Sequence, residues 1–434
     1  MEEDFPLRGV NAILSAIQHD ETADLVDLIA GLYEAIAGTD EAILQDFNSF
    51  SDEDLLTGLA ERARAVLEGH VEVAIEGDDK TVLLDAARLL RAIEEAALEN
   101  TSYPQSDRGS DLEVEWCTAD GRYYVIPRLA PLPNLPRRPF LRRALRRFRV
   151  IPTKVGRWAI RLHRSTIVER AAEEGDEKPI QQNFGAAFFP GLNVAIQESS
   201  TTEFLVSGVS GFNACSLIAG HLDEASLNRC VGVSWAELTV DDASLAFLQG
   251  EAARRALDGA HVCRFLVPGS WHREIEGKTY NISRVLDGFG ETLFEVRKWA
   301  KFQLGERFEA IEPGNEIHIL IGEQDLMLVA ICKDFLHEAK EVPYKSLNVD
   351  IAMVPSMMGK EGEDLDTVPG HAATAQTMRV RYGTRTLVVA QPAFASDDPK
   401  HGVGRVLAFP AKPLHAPAGE LVHGPWHLCV LDSS

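Results

Sequence analysis

Two textures in the chain predict its fold class. After about residue 185, ten apolar runs of strand length alternate with turns and two helical stretches; in the first hundred residues, apolar positions recur at helical spacing. Together they predict an α/β protein, with a large sandwich domain over residues 186–434, a mainly helical acidic domain over 1–100, and a connector over 101–185. A chain of 434 residues that is 45% hydrophobic can bury one large core and a second, smaller one.

In the N-terminal region Ile13, Ile17, Leu25, Leu28, Ile29, Leu32 and Ile36 lie on one helical stripe with acidic residues between them. Gly38-Thr39-Asp40 and the capping sequence Ser51-Asp52-Glu53-Asp54 divide it into several helices, the last over about 81–98. The polar stretch 100–110 reads as a loop, and 116–129 as a short hairpin around Asp120-Gly121. From Arg137 to Arg164 the chain then carries eleven arginines and lysines and no acid. Leu141, Leu145 and Phe148 fall at helical spacing beside Arg142, Arg143, Arg146 and Arg147, so part of this block reads as a basic amphipathic helix. Three uses compete for it: a clamp on the acidic helices or a neighbouring subunit, a contact with nucleic acid or a nucleotide, and adsorption to a membrane. The strands expected beyond it are 192–197, 204–209, 231–235, 263–268, 279–286, 292–298, 317–322, 327–332, 351–354 and 385–390, several apolar throughout and therefore buried on both faces. Helices are expected over 242–258 and 371–382.

A formal charge of −23 argues against generic binding to polyanions. The six cysteines contain no CxxC pair, which is the usage of reduced thiols in the cytoplasm rather than of a disulfide frame or zinc site. Met1-Glu2-Glu3-Asp4 has no basic leader character, and no apolar run approaches the ~18 residues of a membrane span. The expectation is a soluble, cytoplasmic protein.

Three of the apolar runs end in a single ionisable residue. They are Val231-Gly232-Val233-Ser234-Trp235-Ala236-Glu237, Leu293-Phe294-Glu295-Val296-Arg297-Lys298 and Leu326-Met327-Leu328-Val329-Ala330-Ile331-Cys332, the last followed by Lys333-Asp334. They supply a carboxylate, an ammonium and a thiol in that order. Taken singly each has a plain structural use: Glu237 as a helix cap, Lys298 as a solvated strand end, Cys332 as a small buried hydrophobe.

As an ordered set with the segments between them, they resemble the nitrilase superfamily of carbon-nitrogen hydrolases, over residues from about 190 to the C-terminus. Val267-Pro268-Gly269-Ser270-Trp271, Gly277-Lys278-Thr279-Tyr280-Asn281 and Asp287-Gly288-Phe289-Gly290 resemble the family's segments before the lysine; Gly305-Glu306, Glu312-Pro313-Gly314 and Asp350-Ile351-Ala352-Met353-Val354-Pro355-Ser356 resemble those after it. The resemblance implies a four-layer αββα sandwich and hydrolysis of a non-peptide amide, carbamoyl amine or nitrile through a cysteine thioester, without a cofactor or metal. It implies Cys332 as nucleophile, Glu237 as general base and acid, and Lys298 with the backbone N–H of Lys333 as oxyanion donors. Glu306, eight residues beyond Lys298, would be the second glutamate. Trp271, Met357 and His371 are candidates for the substrate pocket. The family's usual oligomerisation makes a homo-dimer or larger assembly the default.

The sequence departs from the family's pattern at Ala300, Lys333, Tyr382 and Gln391, so substrate shape is not carried over. Lys333, next to the nucleophile, would favour an anionic substrate if it faces the pocket. Two other functions fit the same residues: a partner-regulated effector or assembly protein that uses the N-terminal region and the arginine block, and an acyltransferase in which an amine intercepts the thioester.

Overall fold

The computed structural model describes residues 25–39, 41–47, 83–84, 86–91, 93–94, 117–127, 139–145, 148–165, 181–304, 306–322, 325–336, 343–358, 368–396, 398–409 and 419–432. Most of the expected N-terminal domain, the 100–110 loop, and Arg146 and Arg147 lie outside these residues. Of the first hundred, Leu25–Ala37 (α1) and Glu41–Asp46 (α2) are helices. They pack with the helical residues near Leu83–Ile93 in one apolar cluster that also takes in Phe140, Leu141, Leu145, Phe148 and Tyr382.

The strands in chain order are β1 Tyr123–Pro127, β2 Phe148–Pro152, β3 Lys154–Val155, β4 Trp158–Arg164, β5 Gln181–Ala187, β6 Asn193–Glu198, β7 Glu203–Ser210, β8 Gly232–Trp235, β9 Phe265–Val267, β10 Trp271–Ile275 and β11 Lys278–Leu286. They continue with β12 Thr292–Arg297, β13 Gln303–Leu304, β14 Arg307–Glu309, β15 Glu316–Ile321, β16 Leu326–Val329, β17 Ile351–Met358, β18 Arg385–Pro392, β19 Gly404–Phe409, β20 Glu420–Val422 and β21 Trp426–Asp432. An eight-stranded sheet runs β20-β19-β18-β17-β16-β15-β4-β3; a seven-stranded sheet runs β10-β11-β9-β8-β5-β21, with β12 on β11. A four-stranded sheet, β13-β14-β7-β6, stands beside them.

The two large sheets face each other. Phe184, Ala186, Phe265, Val267 and Val296 from one meet Met327, Val329, Ile351, Met353 and Val389 from the other in a single buried cluster. This explains why β16 and β17 are apolar throughout: every residue of both strands is buried, because each sheet also carries a helix on its outer face. Ala214–Leu227 (α4) and Asp242–Leu257 (α5) cover the seven-stranded sheet through Ile218, Leu222, Leu245 and Leu248. Val368–Tyr382 (α6) covers the eight-stranded sheet through Ala372, Ala375 and Met378. Local chemistry starts two of these helices: Asn213 accepts from Ser216 N (3.1 Å) and Asp241 from Ser244 N (2.8 Å).

All ten expected strands and both expected C-terminal helices are present, with two clearly shortened: 263–268 is reduced to Phe265–Val267, and the run 327–332 stops pairing at Val329, because Cys332 turns the chain. The main differences lie in the connector. Phe140–Ala144 (α3) is only five residues long, and Phe148 begins β2, so no long basic helix forms. The strand β4 pairs parallel with β15 and belongs to the large sheet. Its alternation WAIRLHR was masked in sequence by the surrounding arginines, which occupy its less buried face. The expected hairpin is a turn at Gly121 (φ +71°) closed by a Cys117–Tyr124 bridge, and β1 takes its full antiparallel pairing from β2. Helix α4, with few apolar residues at helical spacing, was not expected.

Within the described part of the arginine block, Arg143 and Arg149 turn inward, whereas Lys154, Arg157 and Arg164 are exposed. Arg143 is buried and donates to Phe47 O, and Arg149 is buried against Asp350 at 2.8 Å. Asp350 also accepts from Leu326 N (2.8 Å), so this pair locks β2 to the start of β16. Arg161 pairs with Glu316 (2.8 Å) across β4 and β15. Arg142 lies in α3, and Arg143 is not available as an outward docking residue.

Removing the cation of a buried pair leaves its carboxylate desolvated, so Arg149→Ala is expected to destabilise the fold by about 3–5 kcal/mol in chemical denaturation. A loss near zero would show the pair to be dispensable. A second expectation concerns acid. Burial pushes His163, His221 and His318 down to about 4 and His371 to about 3. The unfolded chain then binds protons between about pH 6.5 and 4 that the folded chain does not, so stability falls as pH drops through that window. Buried Asp334, whose carboxyl is pushed well above its usual range, acts the other way as a single group. His163 and His318 touch (Nε2···Nδ1 2.9 Å) and stack with Phe294. Replacing both by Phe should flatten the decline of the urea midpoint between pH 6.5 and 4; an unchanged slope refutes this account.

Candidate active site

The three residues singled out by the apolar runs converge at strand ends of the facing sheets. Glu237 lies just past β8, held by a parallel bridge to Ser270 and by Leu238 N donating to Ser270 O (3.0 Å). That approach requires a glycine at 269: its φ is +63°, and a Cβ there would stand 2.0 Å from Ala236 O. Lys298 follows β12, its N–H donating to Asn281 O (2.9 Å) and its carbonyl accepting from Gly314 N (3.0 Å). Cys332 opens a 3-10 turn, Cys332–Phe335, with φ +46°, a left-handed backbone that a non-glycine residue adopts at a cost of order 1–3 kcal/mol.

The Lys298 side chain is fully buried, and its Nζ lies 2.6 Å from Glu237 Oε1 and 2.7 Å from Glu309 Oε2. Asn281 Nδ2 donates to both carboxylates, at 2.9 Å to Glu237 Oε1 and 2.7 Å to Glu309 Oε1. His272 Nδ1 accepts from Val206 N (2.9 Å), which places its proton on Nε2, 2.8 Å from Glu309 Oε1. Met357 N donates to the other oxygen of Glu237 (3.2 Å), and Phe302 N to Glu309 Oε2 (3.1 Å). Burial alone would drive the ammonium neutral, but the two carboxylates outweigh it and hold Lys298 well above the usual lysine range. Burial likewise works against the Glu309 charge, and Lys298 and His272 overcome it, leaving its carboxyl well below the usual range.

Burial pushes the Cys332 thiol up, Glu237 adds to the effect, and Lys298 and Ser356 only partly oppose it. Those contributions favour the neutral thiol over the thiolate at Cys332. Its Sγ receives Ser356 Oγ at 3.3 Å and faces Met357 O at 3.8 Å; Ser356 Oγ in turn meets His371 Nε2 at 3.1 Å. Asp334 ties the cysteine turn to the lysine segment, its Oδ1 accepting from Trp299 N (3.1 Å) and Ala300 N (2.8 Å). Glu237, Lys298, Glu309 and Met357 line a cavity of about 520 Å³; Cys332, fully buried, is not among its lining residues.

Four sequence expectations need correction. Lys298's second carboxylate is Glu309, not Glu306, which is exposed and lines the cavity instead. A fixed offset from the lysine failed because β14 doubles back on β13 in an antiparallel pair, Gln303 opposite Phe308, and in β14 alternation turns Phe308 outward and Glu309 inward. His371 sits behind the cysteine against Ser356, away from the cavity lining. Trp271 packs between its sheet and the covering helices, with Leu238 and Leu286, and does not line the cavity. Lys333 does not line it either, so a cationic side chain beside the nucleophile is not what a ligand meets there. Met357 does line it. The backbone N–H of Lys333 is among the first of the 3-10 turn, which a short helix leaves without a partner of its own. Lys301, three residues beyond Lys298, pairs instead with Glu203 at 3.4 Å. His272, Asn281, Asp334 and Glu309 were not expected; only the inward-facing alternation of β14 signals the last of them. The described residues contain no group of three or more metal-ligating side chains.

The assignment of Glu309 has a stability test. Glu309→Leu leaves Lys298, His272 and Asn281 short of an acceptor and should cost about 3–5 kcal/mol, whereas Glu306→Gln, at an exposed position, should stay within about 0.5 kcal/mol. Equal effects would undo the assignment.

No family model matches the chain, and no curated protein matches it. Among solved structures, an amidase from Nesterenkonia sp. aligns over 62% of this chain and 93% of its own at 18% identity and a TM-score of 0.41. A variant of the Nesterenkonia sp. AN1 amidase, carrying the acetamide moiety of fluoroacetamide covalently at its active site cysteine, aligns over 62% and 94% at 16% identity and a TM-score of 0.41. A further variant of that amidase, from the nitrilase superfamily, aligns over 58% and 91% at 17% identity and a TM-score of 0.40. The structural neighbours of this chain are thus amidases of the nitrilase superfamily.

Proposed function

We propose that the chain is a carbon-nitrogen hydrolase that cleaves a non-peptide amide, carbamoyl amine or nitrile through a thioester on Cys332, with Glu237 and Lys298 as its partners in a nitrilase-like αββα sandwich. The observation that carries this reading is the buried Lys298 ammonium, held between Glu237 and Glu309 where all three line a cavity of about 520 Å³, with the strained, buried Cys332 in the turn that Asp334 ties to the lysine segment.

The chemistry follows from the charges. A neutral thiol is a weak nucleophile, so Glu237 takes its proton as Sγ bonds to the carbonyl carbon. The carbonyl π pair moves to oxygen, and Lys298 Nζ and the Lys333 N–H donate to the resulting oxyanion. Collapse of the tetrahedral species breaks the carbon–nitrogen bond, and the nitrogen leaves with the proton from Glu237. Glu237 then accepts a proton from water, the hydroxide adds to the thioester, and the acid departs as Cys332 regains its proton. Glu309 donates nothing in this sequence; it keeps Lys298 charged and aimed. Asp334 holds the segment after the lysine against the cysteine turn.

Intact-mass spectrometry after brief exposure to small amides, nitriles and carbamoyl compounds tests the reading. The wild type should release ammonia or amine, Glu237→Gln should slow turnover by about 10²–10⁴-fold and accumulate an acyl adduct on Cys332, and Cys332→Ala should form none while keeping its fold. Turnover by Cys332→Ala would end the proposal.

A further inference from the structure

The cavity is far larger than the reacting atoms need, and its walls are chemically uneven. Its sides are Val194 and Ile196 of β6, Phe204 and Val206 of β7, Phe302, Met358 and Phe394, from different parts of the chain but all apolar. Its polar lining residues differ in burial: Glu237, Lys298 and Glu309 are buried, whereas Arg307 is half-buried and Glu306 exposed. Arg307 is neutralised by Glu198 at 2.6 Å, and Lys301 by Glu203 at 3.4 Å. Glu306 has no ion pair among the described residues, so the exposed part of the lining carries one uncompensated carboxylate.

We propose, resting on the hydrolase reading above, that the substrate is an amide with an extended apolar acyl chain whose far end is neutral or cationic, and that Glu306 is the residue that selects against an anionic end. A two-carbon acyl group would leave most of the apolar wall uncovered. Pockets of roughly 300–1,000 Å³ with a few convergent polar groups accommodate much larger ligands. Each methylene that reaches this wall should raise kcat/KM roughly fourfold, the equivalent of ~0.8 kcal/mol per buried CH₂. The strands β6 and β7 that form the wall are also tied to the catalytic cluster, since Val206 N holds His272 and His272 holds Glu309. A chain lying against β7 therefore presses on the element that positions the lysine.

The test compares acetamide, hexanamide, ε-aminocaproamide and adipic acid monoamide with the wild type, Glu306→Gln and Glu306→Lys, reading kcat/KM and the mass of the Cys332 adduct. The expected results are a rise on the order of 10²-fold from acetamide to hexanamide, ε-aminocaproamide preferred over adipic acid monoamide by the wild type, and that preference reduced in Glu306→Gln and reversed in Glu306→Lys. Added salt should shrink the preference. Turnover independent of chain length, or an acid-ended chain preferred by the wild type, overturns this inference alone. A preference that survives Glu306→Lys removes Glu306 from it. No adduct and no ammonia from any of the four overturns the hydrolase reading and this inference together.

Discussion

Everything at the candidate site depends on keeping one ammonium charged where water cannot reach it. Desolvating an isolated ammonium costs several kcal/mol even after the protein relaxes, and an unpaired buried lysine escapes that cost by losing its proton. Two carboxylates within 2.7 Å prevent this for Lys298, and each is itself held by further donors: Asn281 bridges both, Met357 N and Phe302 N take one each, and His272 takes Glu309. The residues come from β8, β10, β11, β12, β14 and β17 or their ends. Satisfying this one charge therefore fixes the relative positions of the seven-stranded sheet, the four-stranded sheet and the strand facing the cysteine.

The same arrangement determines the charge balance of the proposed reaction. Two carboxylates, one ammonium and a neutral thiol sum to one negative charge. After proton transfer to Glu237 and attack, the second carboxylate, the ammonium and the oxyanion again sum to one. No net charge has to be created in a buried space, so the fixed dipoles need little reorganisation as the barrier is crossed. A pre-formed thiolate would instead have placed a third negative charge beside Glu237, and the elevated Cys332 thiol is the physical expression of that cost.

The connector and the four-stranded sheet show how an otherwise ordinary sandwich is adapted. The arginine block contributes the buried Arg149–Asp350 pair, which ties β2 to β16 and hence to the strand that presents the cysteine. The β6–β7 hairpin supplies one wall of the cavity and, through Val206 N and His272, one support of Glu309. The wall of the cavity and the support of Glu309 thus share a structural element.

Sequence by itself determined the alternation of strands and helices after residue 185 and singled out Glu237, Lys298 and Cys332, because all of these signals are local: a strand buried on both faces is continuously apolar, and an ionisable group at its end interrupts that run visibly. It also announced Met357 as a lining residue. The tertiary structure alone decided which carboxylate completes the lysine site, that His272, Asn281 and Asp334 belong to it, that Trp271 and His371 stand behind rather than within the cavity, and that β4 in the arginine-rich stretch is a sheet strand. Those outcomes depend on the face a strand presents after an irregular turn and on partners far away in the chain, β7 for β14 and β15 for β4. A one-residue change of register exchanges inward for outward side chains without altering composition, which is why Glu309 and Glu306 look alike in sequence and differ completely in their surroundings.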